Sequence, residues 1–516
     1  MPKLTINGTE VEVKEGATVI EAFKKMNEDI AHYCWHPGLS IAGVCRLCMI
    51  DVEGARGPQI ACNTLAKEGM VVTNQSEQIK DIVKWGMDFH LINHPLDCPI
   101  CDQAGECGLQ EQYMKFGQYD PEMDQPKVKK RKVVDLGEKI VLDSERCILC
   151  SRCVRFTDEV SKTKELGIFN RGDRSEVGTF ADKPLNNKYS LNTVDICPVG
   201  ALTSKDFRFR QRVWYLKNDD TVCNGCSTGC NVKVYYNEDG LFRVTPEYNE
   251  DVNGYWMCDE GRDIYKFANK DQRLLKAKKY DGSSWQEQTA GKAMQELHHN
   301  LFDDVKTNCS KVGVVFTGQY TNEEYADAMQ TFKSLGVASF FEWNDTAENV
   351  NDFDDLLIRG DKNPNTKGLQ DEAANHSGLK KLADAIAAVN SGQIDTIFVM
   401  APENIAVYPN YQSTYEALSK AKNFIWFGAN KTDGFEKTNS QNTYLIPMKS
   451  YIEKSGTFSG AKAIQKFNYV TTIVAGALTL SEAMTLFQGK EIEFELRSKP
   501  MKTLKNNHFT SNRGKL

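Results

Sequence analysis

A multidomain chain is predicted, α+β in its first half and α/β in its second, and three observations predict it. Fifteen of the sixteen cysteines fall in four groups between residues 34 and 258. The N-terminus carries a hairpin signal followed by a capped amphipathic helix. After about residue 273 short apolar strand candidates alternate with helical stretches, the pattern of an open α/β domain.

Taken in order, residues 4–13 alternate apolar and polar side chains around Asn7-Gly8, the type I′ hairpin signal. Thr18 and Glu21 form a capping box, and Ile20, Phe23 and Met26 then share one helical face. A strand pair followed by a helix fits a β-grasp module. The stretch from Cys34 to Cys48 is a glycine-punctuated loop. A helix is predicted from Gln78 to Asn93 and is broken by Pro95 and Pro99. Pro121, Pro126 and the basic run Lys127 to Lys132 predict an exposed connector over 119–132. Lys139 to Leu142 is strand-like, and Asn231 to Tyr236, turn Asp239-Gly240 and Leu241 to Val244 predict a hairpin. Ser284 and Glu287 predict a second capping box. Val312 to Phe316, Ile397 to Met400 and Phe424 to Phe427 predict buried strands, and Lys499 to Leu516 is a basic tail.

The cysteine groups carry the chemistry. With His94, the fifteen clustered cysteines give sixteen ligands, enough for four iron–sulfur clusters held by four ligands each. Cys34, Cys45, Cys48 and Cys62 suit one [2Fe–2S] cluster, with two thiolates per iron. His94, Cys98, Cys101 and Cys107 suit a [4Fe–4S] cluster in which imidazole replaces one thiolate and changes the site's charge. His90 competes for that fourth position. Cys147, Cys150, Cys153 and Cys197, the last followed by Pro198, resemble the ferredoxin C-x2-C-x2-C…C-P run and suit a second [4Fe–4S] cluster. Cys223, Cys226, Cys230 and Cys258 suit a third. Arg146 and Arg152 stand beside these ligands as candidate tuning residues. Zinc is the alternative occupant, since four-thiolate and three-thiolate–imidazole zinc sites use similar spacings. Disulfides fit short secreted chains better. Cys309 reads as a buried small hydrophobe.

Composition excludes other classes. A net charge of −7 argues against nucleic acid as a partner. MPKLTINGTEVEV runs into a strand pattern without the features of a signal peptide, so a cytoplasmic location is expected. The longest apolar stretch, Ile473 to Leu480, is far short of the roughly 20 residues a membrane helix needs, so membrane association is expected to be indirect. Neither a G-x-G-x-x-G fingerprint nor a G-x4-G-K-[ST] loop occurs, so a nicotinamide or flavin site is expected on another chain.

HPLDCPICDQAGECGLQ (94–110), ERCILCSRCVRF (145–156) and DICPVGALTSKDFRFRQRVWYL (195–216), together with the four ligand sets, resemble the large, G-type iron–sulfur subunit of bacterial respiratory NADH:quinone oxidoreductase, complex I. The resemblance covers residues 1 to about 270. It implies an electron path from a partner's NADH/FMN flavoprotein through the Cys34, Cys147 and His94 clusters to quinone-side iron–sulfur subunits. It also implies further peripheral-arm partners, a place on the cytoplasmic face of the inner membrane, and a fourth cluster off the main path. DLLIRGDKNPN (355–365) and YIEKSGTFSG (451–460) resemble a shortened molybdopterin oxidoreductase domain. With no cysteine after Cys309, no molybdopterin is expected there.

The expected domains are a β-grasp [2Fe–2S] domain (1–78), a helical [4Fe–4S] module with His94 (79–119), a linker with a ferredoxin-like [4Fe–4S] module (120–215), a four-cysteine [4Fe–4S] module (216–272), the α/β domain (273–498) and the tail (499–516). Rival readings are an iron–sulfur or catalytic subunit of an NAD-linked formate dehydrogenase or hydrogenase, and a non-redox zinc scaffold.

Overall fold

Asn7 (φ 49°) and Gly8 (φ 86°) both take the left-handed backbone that a two-residue type I′ turn requires, and they join β1 (Lys3–Ile6) to β2 (Thr9–Glu12) with Leu4 opposite Val11. In this computed structural model the described residues are 1–120, 122–123, 125–181, 183–344, 349–432, 438, 440–493 and 497–502. They form two compact units, Met1–Tyr215 and Leu216–Leu516. Pro121 of the connector and residues 503–516 of the basic tail lie outside the described residues.

In the first unit, β3 (Met49–Val52), β4 (Gln59–Ile60) and β5 (Val71–Thr73) complete a sheet of order β2-β1-β5-β3-β4, with β5 parallel to β1. Helix α1 (Val19–Lys25) has the Thr18/Glu21 capping box, and the Thr18 amide donates to Glu21 Oε2 at 2.7 Å. Val19, Ile20, Ala22 and Phe23 share one core with Leu4, Ile6, Ile50 and Val72, the arrangement expected of a β-grasp module. Helix α2 (Glu77–Leu91) is capped by Ser76 and buries Ile79, Val83 and Met87. Helix α3 (Gly108–Phe116) packs against it. The connector is tied down rather than free: Lys127 donates to the Leu91 and Ile92 carbonyls at 2.7 and 3.1 Å, closing the C-terminal end of α2. Ile140–Leu142 pairs with Leu202–Ser204, and this ladder brings the segments before Cys147 and after Cys197 side by side.

The second unit opens with a three-stranded antiparallel sheet, Lys217–Val222, Asn231–Asn237 and Gly240–Pro246. An eight-stranded sheet follows. Its parallel part runs Asn442–Pro447, Asn423–Gly428, Thr396–Met400, Val312–Phe316, Ser339–Glu342, Lys380–Lys381, and the hairpin Ala277–Tyr280/Trp285–Gln288 adds two antiparallel strands at one edge. Successive residues serve opposite faces, as the period of two demands. Val314, Phe316, Phe398 and Phe427 pack with helices Ala290–Thr307, Asn322–Ser334 and Leu480–Phe487. Val315, Val399 and Trp426 pack with Leu382–Asn390 and Tyr411–Leu418. Both faces are covered, so the central strands are continuous apolar runs.

One expected element differs. Ser284 and Glu287 do not cap a helix, because Trp285–Gln288 is the edge strand just described. Asp281 accepts from the amides of Ser283 and Ser284 at 2.9 and 3.0 Å, so the serine belongs to a hairpin turn that resembles a cap in sequence. The helix begins after Thr289, whose hydroxyl accepts from the Lys292 amide. Cys309, expected buried, is half-buried in the short turn before Val312.

The second unit is pinned by an interior ion cluster. Lys454 lies 2.9 Å from Glu324 and 3.2 Å from Glu403, and all three side chains are nearly inaccessible. Replacing the lysine alone leaves two buried carboxylates uncompensated. Lys454→Met is therefore expected to destabilise this unit by about 3–5 kcal/mol, read as a lower denaturant midpoint.

Candidate metal centres

The first ligand set is gathered by the loop between α1 and β3 and by the turn after β4. Arg46 (φ 54°) and Gly43 (φ 64°) take left-handed backbone and curl this loop. Cys34, Cys45, Cys48 and Cys62 are all buried. They meet as two pairs, Cys34 beside Cys45 and Cys48 beside Cys62, close enough for each thiol to act on its neighbour. The coupling within each pair holds Cys34 and Cys62 below the usual thiol range and Cys45 and Cys48 above it. The Tyr33 amide also points at Cys45 Sγ, at 3.5 Å.

The second set stands where α2 ends. His94, Cys98, Cys101 and Cys107 line one cavity of about 270 Å³, closed by Leu91, Pro95 and Arg146. His94 Nδ1 is buried without a hydrogen-bond partner. Burial, then the Arg146 and Lys127 charges, push its pKa down to about 4, so the ring is a neutral donor at pH 7. His90 does not line this cavity. Its Nδ1 lies 2.7 Å from the Gly86 carbonyl within α2, and its ring meets Tyr33 edge-on at 5.1 Å. A Cβ at Gly200 would overlap the Cys101 sulfur, so this glycine leaves the space the thiol occupies.

In the third set Leu149 (φ 55°) and Ser151 (φ 60°) are left-handed and coil the chain around Cys147, Cys150 and Cys153. Burial pushes Cys147 up to about 12 and Cys150 up to about 11, and the field of Cys197 adds to both. Cys153 is raised by burial and by Cys147, Cys150 and Cys197 together, so the four sulfurs lie near one another, Cys153 buried and the other three half-buried. Backbone amides oppose this burial. Leu149 N–H donates to Cys147 Sγ at 3.4 Å, and the amides of Leu202, Val199 and Ala201 face Cys197.

The fourth set lines a cavity of about 580 Å³. The amides of Gly225 and Gly261 donate to the sulfurs of Cys223 and Cys258 at 3.4 and 3.3 Å. A Cβ on Gly261 would lie 3.2 Å from Cys223 Sγ, which explains glycine there. Lys362 reaches the rim and pairs with Glu260 at 2.8 Å. Among the described residues no three His, Cys, Asp or Glu side chains converge closely enough to hold a single metal ion.

The second and fourth sets each line one cavity, and the donors the structure offers are soft sulfurs, backbone amides aimed at them and an orphaned imidazole nitrogen. Four families match successive stretches of the chain. They are the 2Fe-2S iron-sulfur cluster binding domain (2–77), the NADH-ubiquinone oxidoreductase-G iron-sulfur binding region (86–121), the ferredoxin-like domain of NADH-quinone oxidoreductase subunit 3 (137–203) and the molybdopterin oxidoreductase Fe4S4 domain (216–270). Proteins named as the G subunit of NADH-quinone oxidoreductase are 35% identical over 361 residues in Rickettsia bellii, 40% over 273 in Streptomyces coelicolor and 40% over 272 in Mycobacterium tuberculosis.

The chain is a relative of the G subunit of NADH-quinone oxidoreductase.

The matched stretches take up 69%, 52% and 52% of this chain but 50%, 32% and 34% of those proteins, so it spans half or less of the length of these relatives. Two solved structures, an NAD+-reducing [NiFe]-hydrogenase (29% identical, 41% of this chain and 91% of the other) and acetylene hydratase from Pelobacter acetylenicus (9%, 52% and 69%), align at TM-scores of 0.38 and 0.37, too low to carry an argument. Iron–sulfur binding domains of both the [2Fe–2S] and the [4Fe–4S] kind are present. Among the described residues no helix is long and apolar enough to cross a membrane.

Three neighbours of the ligands escape sequence reading. Gly200 and Lys362 lie far from their sites in the chain and carry no local signal. Arg155 stands one helical turn beyond Arg152, and that spacing was the available clue. Gly200→Ala is expected to cost the protein the metal of one site in four. Gly291→Ala, whose added Cβ meets nothing within 4 Å, should leave metal content unchanged by elemental analysis.

Proposed function

We propose that this chain is an electron-transfer subunit of an NADH:quinone oxidoreductase, carrying iron–sulfur clusters between a partner's NADH/FMN site and quinone-side subunits. The proposal assigns Cys34, Cys45, Cys48 and Cys62 to a [2Fe–2S] cluster. It assigns His94, Cys98, Cys101 and Cys107, then Cys147, Cys150, Cys153 and Cys197, then Cys223, Cys226, Cys230 and Cys258 to three [4Fe–4S] clusters. When bound, such clusters take up and release single electrons.

The observation that carries this reading is the gathering of each of the four sets at one interior site, under four iron–sulfur families in the same order along the chain. Two of the sets line cavities of about 270 and 580 Å³, room for a multi-atom group rather than one zinc ion. The work of the chain is to hold the ligands. Amides at Leu149, Gly225 and Gly261 donate to ligand sulfurs and favour the thiolate form.

The rest of the proposal follows the same resemblance: a flavoprotein partner on one side, quinone-side iron–sulfur and peripheral-arm subunits on the other, and indirect attachment to the cytoplasmic face of the inner membrane. The domain divisions at 78, 119, 215, 272 and 498 are part of it. The α/β domain acts as a scaffold in this reading, since the sequence offers no cysteine beyond Cys309 and the sheet interior is closed by packed side chains.

Anaerobically purified protein is expected to contain about 14 iron and 14 acid-labile sulfide per chain. Stoichiometric zinc without sulfide overturns the reading. His94→Ala should lower the iron content by up to about 4 per chain or perturb one [4Fe–4S] signal, whereas His90→Ala should do neither. Equal effects of the two substitutions reject the ligand assignment.

A further inference from the structure

Helix α4 (Arg152–Arg155) follows directly on Cys150 and carries two arginines between the first and third ligand sets. Arg152 Nη2 donates to the Trp35 carbonyl at 2.6 Å, one residue from Cys34. Its Nη1 donates to the Ile196 carbonyl at 3.1 Å, one residue from Cys197. One guanidinium therefore spans the peptide next to a ligand of each site. Arg155 repeats the pattern from the same helix, donating to the carbonyls of Cys34 and Ser40 and, at 3.4 Å, to that of Cys150.

The charge environment of Arg152 is unusual. Its Nε is buried and has no hydrogen-bond partner. The ligand side chains of Cys150, Cys197 and Cys34 stand nearest to its charge, and no carboxylate stands among its principal charged neighbours. By contrast, Arg146 beside the second site is paired with Asp97 at 3.1 Å and Asp143 at 3.3 Å, and Lys362 beside the fourth with Glu260 at 2.8 Å. A partly buried guanidinium without a carboxylate is costly unless negative charge lies nearby. Here the ligand loops of two sites lie beside it, and a planar five-donor fork suits a bridge between two carbonyls.

We propose that Arg152, with Arg155 as its weaker companion, is a cation shared by the Cys34 and Cys147 sites that ties their ligand loops together and raises the reduction potential of both. This rests on the cluster assignments above. Each reduction adds one negative charge, so a fixed cation beside both sites favours the reduced form of each. Removing it lowers both potentials together. It leaves the His94 site, whose principal cationic neighbours are Arg146 and Lys127, unmoved.

The test is an EPR-monitored redox titration of the full-length, anaerobically purified protein carrying Arg152→Gln or Arg152→Lys, with iron and sulfide measured on each sample. The expected result is a fall in the midpoint potentials of the [2Fe–2S] and Cys147-set signals in R152Q, near-recovery in R152K, and no shift of the His94-set signal. Normal iron and sulfide with neither potential moved, only one moved, or all moved alike overturns the shared-cation role and leaves the cluster reading standing. Wild-type protein without iron and sulfide overturns both. Should R152Q fail to load its clusters, Arg155→Gln carries the same test. A smaller fall in the same two potentials supports the role, and unchanged potentials overturn it.

Discussion

Everything in the first half of this chain is arranged around a charge problem. Four sulfur donors held at one interior point repel each other once ionised, and burial disfavours the thiolate further. In the third set burial raises all four thiols, and Cys147, Cys150 and Cys153 are raised further by their sulfur neighbours. The fold answers with backbone dipoles and fixed cations. Left-handed residues at Arg46, Leu149 and Ser151 bend the loops around the sulfurs, and amides at Leu149, Gly225 and Gly261 point at them. Non-glycine residues in that region are uncommon, so three of them beside ligand cysteines mark loops shaped by what they hold.

Regular elements serve mainly to fix where those loops begin and end. The capping box at Thr18 starts α1, and the break before Pro95 ends α2, leaving His94 at a helix exit facing three cysteines. In the second unit the parallel sheet supplies rigidity of another kind. Its central strands are buried on both faces, and the Arg273–Glu453 pair at 2.7 Å and the Lys454 cluster replace hydration inside it with matched charge. Breaking one member of such a set is far more damaging than omitting the whole set.

What the sequence disclosed was whatever depends on short-range chemistry. Asn7-Gly8 announces its turn because both residues must adopt positive φ, and Val312 to Phe316 announces a two-sided strand because nothing polar interrupts it. Cysteine spacing pointed to candidate donor sets for the same reason, since two sulfurs three residues apart can face one side of a loop. The Ser284/Glu287 pair misled because a serine beside a turn aspartate looks the same whether a helix or a strand follows, and strand pairing with Ala277–Tyr280 decides between them. His90 and His94 sit four residues apart and differ only in tertiary surroundings, one turned to Tyr33 and the other to a cavity. Gly200 and Lys362 were illegible because their partners lie far away in the chain.

The placing of cations follows from the donors themselves. A site with four cysteines presents one more ionisable ligand than a site with three cysteines and a neutral imidazole. The His94 site, with its imidazole, is flanked by an arginine whose charge is largely taken up by Asp97 and Asp143. The first and third sites, with eight sulfurs between them, lie on either side of two arginines that donate to carbonyls rather than to carboxylates. Substituting histidine for one cysteine and freeing an arginine from acidic partners are thus two solutions to one electrostatic constraint, and adjacent sites of a single unit use one each.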